Sequence, residues 1–358
     1  MKVAINTGGG DAPGLNSVIR SATLAGIVRG WTMVGVRDGY DGLLFPERYD
    51  GDGVVELDRQ SVRGIAHLGG TMLGTTNRGN PFRQKVRHAD GSVSEVNRGG
   101  ELVEVMRHHG IDAVIAAGGD GSLSIAYQLS RLGMPVVGVP KTIDNDLEHT
   151  NETFGFDSAI SFATECLDRM FATAQAHSRI IVVEVMGRSA GWIALYAGVA
   201  SAVHAVLIPE IPFNLELVAD ALSERYARGS EYAIVVVAEG AAPLGGEVTT
   251  VEGNRLGGIG LSVAAQLSEM TGIETRSLNL GHLLRGGSPT ARDRILGHRC
   301  GAAAVRAIEQ GTYNVMVSMD GDAVRLVPLA EVSGRVRQVP LDNDVLTAAR
   351  DIGICLGD

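Results

Sequence analysis

Aromatic residues are scarce, at 4% of a 358-residue chain with two tryptophans. Cysteine is scarcer still: Cys166, Cys300 and Cys355 are odd in number, far apart, and never form C-x-x-C. No disulfide framework or thiolate zinc site is indicated, and a reducing compartment fits. No apolar run reaches the ~18 residues of a membrane span, and Met1 leads straight into a strand-like run with no leader pattern. A basic excess is missing too, since 31 Lys and Arg face 41 Asp and Glu for a net charge of −10. That argues against a general nucleic-acid or membrane-surface role, and an anionic ligand must then be met by cations gathered locally. The common P-loop pattern G-x-x-x-x-G-K-[S/T] is also absent. The expectation is a soluble, cytoplasmic protein.

Glycine, by contrast, is abundant at 48 residues, and 45% of the chain is hydrophobic. Such a composition suits a glycine-punctuated α/β enzyme, and the length suggests two domains. The organising stretch is Gly118 to Asp146. An apolar run (Ile111–Ala117) leads into G-G-D-G-S (Gly118–Ser122), then a helical interval (Leu123–Leu132), then a second apolar run (Met134–Val139) and the segment V-P-K-T-I-D-N-D. The pattern predicts strand, glycine loop, helix and strand. Glycines at a strand's carboxyl end let backbone N–H groups close around phosphate oxygens. A carboxylate at Asp120 would repel a bare phosphate, and makes most sense if it holds Mg²⁺. Either motif alone also has a plain structural reading, as a tight turn or a helix cap. Together, on adjacent strand ends, they supply the parts of phosphoryl transfer.

The same architecture recurs along the chain. Lys2–Asn6 reads as a strand running into T-G-G-G-D-A-P-G-L-N, with a helix to Arg29 and a second strand at Trp31–Val36. Asp38–Leu44 reads as a loop, Asn80–Gly99 as a polar surface excursion, and Glu101–His109 as a helix. A second α/β set begins near residue 155, with a helix over Phe156–Ala176 and a strand over Ile180–Val185 that ends in M-G-R-S-A-G-W. Strands at Ala205–Ile208 and Tyr232–Ala238 flank a helix at Leu215–Arg228, and Glu239 follows the second strand. Pro243–Arg255 reads as an exposed loop, Ile259–Met270 and Thr290–Gln310 as helices, and Tyr313–Val327 as a hairpin. Arg276, His282 and Arg285 gather positive charge around a Gly-Gly turn, and arginine forks match phosphate oxygens.

Taken in order, G-G-D-A-P-G-L-N, G-G-T-M-L-G, G-G-D-G-S, P-K-T-I-D-N-D, V-E-V-M-G-R and E-T-R-S-L-N-L-G-H-L-L-R-G-G-S-P-T-A-R-D-R resemble the phosphofructokinase family of bacterial type, from Lys2 to about Val327. The resemblance implies two Rossmann-like three-layer α/β domains with the chain crossing between them. Residues 1–155 plus 284–333 would take the phosphoryl donor, and 156–283 plus 334–358 the sugar phosphate. It implies phosphorylation of fructose 6-phosphate at its 1-hydroxyl, with ATP and Mg²⁺. The donor would be held by Gly9, Gly10, Arg78, Gly79, Gly119, Asp120, Gly121, Ser122 and Lys141, with Asp120 on the metal. Asp144 would be the base, with Thr142, Arg78 and Arg188 stabilising the transferring group. The sugar phosphate would lie against Thr142, Ile143, Asp144, Met186, Gly187, Arg188, Glu239, His282, Leu283, Leu284 and Arg285. Arg179 and Arg276 would reach a neighbouring subunit's sugar phosphate, which implies a homotetramer or homodimer with shared active sites. Leu284 stands where the family usually has glutamine.

Donor choice rests on two positions. In the family a glycine at Gly121 leaves room for the α-phosphate of ATP, whereas a lysine at Lys141 is typical of pyrophosphate enzymes. An aspartate at 121 would set a second carboxylate beside Asp120, so Gly121 excludes more strongly than Lys141 and ATP is favoured over pyrophosphate. A related sugar or polyol as acceptor, an idle sugar-phosphate-binding regulator, and a kinase of the NAD or diacylglycerol type are the alternatives. The last would share only G-G-D-G-S. Of the effector-binding cations of regulated family members, Arg20 and Arg228 are matched, while Leu24, Leu68, Phe171 and Ser230 carry no charge.

Overall fold

Strand β1 (Lys2–Thr7) is buried along nearly its whole length, as a strand covered on both faces must be. After it come α1 (Leu15–Val28), β2 (Thr32–Val36), the single turn α2 (Asp41–Leu44), β3 (Val54–Leu57), β4 (Gln84–Arg87) and β5 (Val93–Val96). Helix α3 (Gly99–His108), β6 (Ala113–Gly118), α4 (Asp120–Arg131) and β7 (Val136–Pro140) complete the first run. Next are α5 (Phe156–Ala176), β8 (Ile180–Val185), α6 (Trp192–Ala200), β9 (Ala205–Leu207), α7 (Leu215–Ala227), β10 (Ala233–Ala238), β11 (Thr250–Val251), β12 (Arg255–Leu256), α8 (Ile259–Thr271) and β13 (Thr275–Asn279). The chain ends with α9 (Ala291–Glu309), β14 (Val315–Asp320), β15 (Ala323–Pro328), α10 (Leu329–Val332) and α11 (Asp344–Asp351). This computed structural model describes residues 1–88, 90–251 and 255–358.

Contacts divide the chain into two units. The first comprises Met1–Thr142, Leu147–Gly155 and Arg285–Arg335; the second comprises Ile143–Asp146, Phe156–Leu284 and Val336–Asp358. In the first unit seven strands run in the order β15-β14-β7-β6-β1-β2-β3, parallel except for the edge strands β3 and β15. One face is covered by α1 and α9, whose Leu15, Ile19, Leu296 and Cys300 pack on Ile5, Ile115 and Val137. The other is covered by α3 and α4, where Leu102, Met106, Leu123 and Leu129 meet Ala4, Val114 and Val136. Each such aliphatic side chain contributes about 1.5–3 kcal/mol when fully buried. In the second unit the order is β13-β8-β10-β9, all parallel. Helices α7 and α8 cover one face through Val218, Leu222, Val263 and Leu267, and α5 and α6 pack on the sheet as well. Both units are three-layer α/β.

Strand order fixes where a ligand can bind. The connection after β1 leads through α1 to β2 on one side, whereas β6 pairs with β1 on the other. The order therefore reverses between β1 and β6, and crevices at such switch points are where open α/β sheets take ligands. Registers Thr7↔Ala117 and Gly118↔Pro140 bring the carboxyl ends of β1, β6 and β7 level.

Several local expectations change. Helix α4 starts at Asp120 instead of Leu123, because Gly119 takes the N-cap position. Asp38–Leu44 contains α2, and the excursion at Asn80–Gly99 folds as the antiparallel hairpin β4–β5. The expected loop at Pro243–Arg255 contains β11 and runs into its antiparallel partner β12, while 252–254 lie outside the described residues. Strand β13 is invisible in the sequence, because its edge position leaves Arg276, Ser277 and Asn279 exposed and breaks apolar alternation.

Candidate active site

In the first unit two glycine loops and a buried lysine converge. The Gly8 N–H donates to the Ala117 carbonyl at 2.9 Å, tying the loop after β1 to β6. Ser122 fills the space between them: a Cβ at Gly8 would lie 2.7 Å from Ser122 Oγ, and one at Gly118 only 2.2 Å from Ser122 Cβ. Side chains there would close the approach, so the glycines exist for proximity. Gly9 adopts φ +78, and a Cβ on it would lie 3.4 Å from both Lys141 Nζ and Ser122 Oγ. Lys141 is 3% exposed and its N–H donates to the Gly118 carbonyl at 3.0 Å. Ammonium, hydroxyl and glycine backbone thus line one small region at the switch point. That combination cradles phosphate oxygens.

A third loop braces this cradle. Gly9 N–H donates to the Thr76 carbonyl at 3.2 Å, Thr75 Oγ1 to the Gly9 carbonyl at 2.5 Å, and Thr7 Oγ1 to the Gly74 carbonyl at 2.6 Å. Arg78 extends into solvent from this loop, with its backbone N–H on Thr76 Oγ1 at 3.1 Å. Gly79 packs beside Asp41, whose carboxyl is raised in pKa by burial and lowered less by Arg48. Arg285 belongs to this unit: its Nη1 donates to the Asp11 carbonyl at 3.0 Å, and a Cβ on Gly10 would strike it at 2.4 Å. Asp120 opens α4, and its Oδ1 accepts from Gly334 N–H at 2.9 Å. Nothing lies within 4 Å of a Cβ placed on Gly121. Among the described residues no three His, Cys, Asp or Glu side chains converge as a metal cage. One carboxylate beside a phosphate cradle nevertheless suits Mg²⁺, which takes one or two carboxylates and completes its shell with phosphate oxygens and water.

The Thr142–Asp146 loop follows β7. Thr142 is buried, and its carbonyl accepts from Thr153 Oγ1 at 2.7 Å. Ile143 is fully buried, Asp144 is half-buried, and Asn145 takes the left-handed φ of 52. In the second unit, Met186, Gly187 and Arg188 follow β8 while Glu239 follows β10, and those strands are neighbours. Glu239 N–H donates to the Val185 carbonyl at 2.9 Å and Gly240 N–H to the Gly187 carbonyl at 3.1 Å, so Arg188 and Glu239 leave one sheet edge together. Arg179 and Arg276 lie elsewhere. Both meet Glu274 Oε1, at 3.5 and 2.8 Å, and Arg276 pairs in register with Ile181. Measured to the carboxyl end of β8 at Val185, Arg276 sits four residues away, about 13 Å of strand, and Arg179 six residues away, about 20 Å. His282 and Leu283 are exposed, whereas Leu284 is 1% exposed and acts as a packing residue.

A family model described as Phosphofructokinase matches residues 2–308. The chain belongs to the phosphofructokinase family. It is 46% identical over 357 residues to a Chloroflexus aggregans protein named ATP-dependent 6-phosphofructokinase, covering 100% of this chain and 98% of that one. It is 44% identical over 351 residues to an Amycolatopsis mediterranei protein named pyrophosphate–fructose 6-phosphate 1-phosphotransferase, covering 96% and 97%. Among solved structures, Pichia pastoris phosphofructokinase in its T-state superposes with a TM-score of 0.80 at 33% identity over 98% of this chain. The chain spans 36% of that Pichia protein. Relatives with either donor in their names stand at similar identity, 46% and 44%.

Three residues of this architecture carry no signal in the sequence. Gly8 reads as one glycine among three, yet it makes the tie between the two loops. Glu184, inside V-E-V-M-G-R, is 3% exposed and accepts from Gly258 N–H, Gly260 N–H and Asn279 Nδ2 at 2.6–3.1 Å. Glu210 accepts from Gly191 and Val339 N–H groups, and burial raises its pKa. The partners of both carboxylates are remote in the chain.

Proposed function

We propose that the protein transfers the γ-phosphoryl group of ATP to the 1-hydroxyl of fructose 6-phosphate, giving ADP and fructose 1,6-bisphosphate, as a glycolytic step in the cytoplasm. The observation that carries this is the cradle of Gly8–Gly10, Gly118–Ser122 and Lys141 at the switch point, followed after β7 by Thr142 and Asp144. The glycine loops and Lys141 hold the donor phosphates, with Arg78 and Gly79 alongside. Asp120, together with the donor phosphates, would hold Mg²⁺, whose charge would offset that of the transferring group. Asp144 accepts the hydroxyl proton as the oxygen attacks, while Thr142, Arg78 and Arg188 stabilise the phosphoryl oxygens. A positioned base supplies about 10²–10⁴-fold, and positioning with electrostatics supplies more.

Glu239 orients the sugar, with Ile143, Met186, Gly187, Leu283 and Leu284 shaping its surroundings. His282 and Arg285 bind the 6-phosphate together with the partner subunit's cations. The register supports that sharing: one chain's Arg276 and Arg179 lie about 13 Å and about 20 Å of strand before the sheet edge from which Arg188 and Glu239 emerge, so a single chain does not gather the set. The working form is a homotetramer or homodimer.

The open space at Gly121 favours ATP, whereas Lys141, buried against the cradle, is the observation that favours pyrophosphate. Incubating the purified protein with fructose 6-phosphate, Mg²⁺ and either donor tests the proposal. Fructose 1,6-bisphosphate formed faster with ATP is expected; faster formation with pyrophosphate would establish the second reading, and none with either would end both.

A further inference from the structure

The second unit contains a strap. As the chain re-enters it at Val336, Arg337 N–H donates to the Asp146 carbonyl at 2.9 Å, and Arg337 Nη1 to the Asn145 carbonyl at 3.3 Å. The same guanidinium lies 4.3 Å from the Trp192 ring centroid, and the Arg337 carbonyl accepts from Trp192 Nε1 at 3.1 Å. Gln338 Nε2 donates to the Ser189 carbonyl at 3.2 Å. Val339 N–H donates to Glu210 Oε1 at 2.8 Å, and the same carboxylate accepts from Gly191 N–H at 3.0 Å. Within four residues the strap fastens the loop that carries Asp144 to the loop that carries Arg188.

We infer that Arg337 is a positioning residue for Asp144, acting through the Asn145 carbonyl. Asn145 has φ 52, a left-handed conformation that asparagine adopts more readily than most residues, and the bond to its carbonyl adds to what holds it there. The Asn145 carbonyl lies in the peptide joining Asn145 to Asp146, so the bond from Arg337 fixes ψ at Asn145; with φ held at 52, this sets the course of the backbone that Asp144, the preceding residue, is joined to. Trp192, 1% exposed, keeps the guanidinium in place by cation–π contact while its indole N–H locks the strap's backbone. Misplacing a reacting group by about 1 Å can cost ~10²-fold in rate. The inference rests on the reading of Asp144 as the base.

The test is a double-mutant cycle of Arg337→Ala with Asp144→Ala in the full-length protein. Arg337→Ala is expected to lower kcat about 10- to 100-fold, with KM for ATP within about twofold and the urea midpoint near that of the parent. Arg337→Lys keeps a cation over Trp192 but not the guanidinium's donor geometry; it should lose about 3- to 10-fold, and it serves as the probe if the alanine variant does not fold. Added guanidinium chloride at millimolar concentration should restore part of the kcat of Arg337→Ala. In an Asp144→Ala background, already slowed by at least ~10²-fold, Arg337→Ala should cost almost nothing more. An undiminished loss in that background, or a parental kcat in both Arg337 variants, would overturn the inference. Near-parental turnover of Asp144→Ala alone would instead remove Asp144 as the base, a failure of the underlying reading.

Discussion

Arg285 and Asp11, 274 positions apart, are joined by a hydrogen bond of 3.0 Å from guanidinium Nη1 to backbone carbonyl. A cation proposed for the acceptor's phosphate therefore also braces the first glycine loop, where the donor's phosphates are proposed to lie. Arg276 is instead ion-paired to Glu274 at 2.8 Å. The two arginines should consequently behave differently when removed. Each charge-assisted hydrogen bond is worth roughly 1.5–3 kcal/mol, so Arg285→Ala and Arg276→Ala should each raise KM for fructose 6-phosphate by about 10-fold or more. Only Arg285→Ala should also raise KM for ATP, by a few-fold. Steady-state kinetics with each substrate varied decides it, and equal ATP constants in the two variants would refute the dual role.

Gly121 is exposed, with no atom within 4 Å of the point a Cβ would occupy, and its φ lies outside the left-handed region. Gly121→Asp should therefore fold normally, its effect falling on the ligand. The new carboxylate would stand next to Asp120 and repel nucleotide phosphates. ATP turnover at fixed concentration should drop at least ~10-fold while fructose 6-phosphate binding, measured by calorimetry without nucleotide, stays within about twofold. Unchanged kcat and KM for ATP would show that Gly121 does not select the donor.

What is legible in the sequence is what is local in the chain. G-G-D-G-S and T-I-D-N-D announce themselves because glycines and carboxylates sit at short spacings next to apolar runs, and β6, α4 and β7 follow from those runs. The apolar pattern places the start of α4 three residues late because Gly119, a poor helix former, is the cap itself. Edge strand β13 escapes notice because a strand with a solvated face carries little apolar signal. Long-range partners are unreadable for a plainer reason. Nothing near Glu184 indicates that Asn279, 95 positions on, will donate to it, and nothing near Arg337 indicates a bond to Asn145, 192 positions back. Likewise Arg285 reads as part of a cluster with Arg276 and His282, and only the fold reveals its contact with Asp11.

Glu184 should matter for stability more than for chemistry. Its carboxylate holds the first turn of α8 through Gly258 and Gly260 N–H groups and ties Asn279 to β8. Glu184→Ala leaves three donors without their acceptor inside the second unit, at about 1–3 kcal/mol each. A loss of at least ~3 kcal/mol in urea unfolding is expected, with Glu184→Gln milder because one carbonyl oxygen remains. A loss below ~1 kcal/mol for the alanine variant would mean that water replaces the carboxylate at little cost.

Allosteric control by ADP and phosphoenolpyruvate should be weak or absent. The family resemblance implies that regulated members hold these anions between subunits with several cations, two of whose positions would fall on Arg20 and Arg228. On the same resemblance, uncharged Leu24, Leu68, Phe171 and Ser230 stand at four others, and Phe171 meets His204 at a tilt and Tyr232 edge-on, at centroid distances of 6.0 Å. A cavity of 450 Å³ does lie beside this aromatic cluster, lined in part by His204, Arg225, Arg228 and Ser230. Its charges are largely committed, however. Arg228 pairs with Glu224 at 2.9 Å, and Arg225 lies over the Tyr232 ring at 5.7 Å with Nε on the Tyr232 carbonyl. Burial, with Arg225 adding to it, lowers the His204 pKa to about 4, so at neutral pH this imidazole contributes no positive charge. A dianionic or trianionic effector needs several charge-assisted hydrogen bonds of roughly 1.5–3 kcal/mol each, and losing four cations removes more than the ~1–3 kcal/mol of typical coupling. Saturation curves for fructose 6-phosphate should accordingly stay hyperbolic and superimpose with or without millimolar ADP or phosphoenolpyruvate. A sigmoidal shift produced by phosphoenolpyruvate and relieved by ADP would show that Arg225 and Arg228 suffice as an effector site.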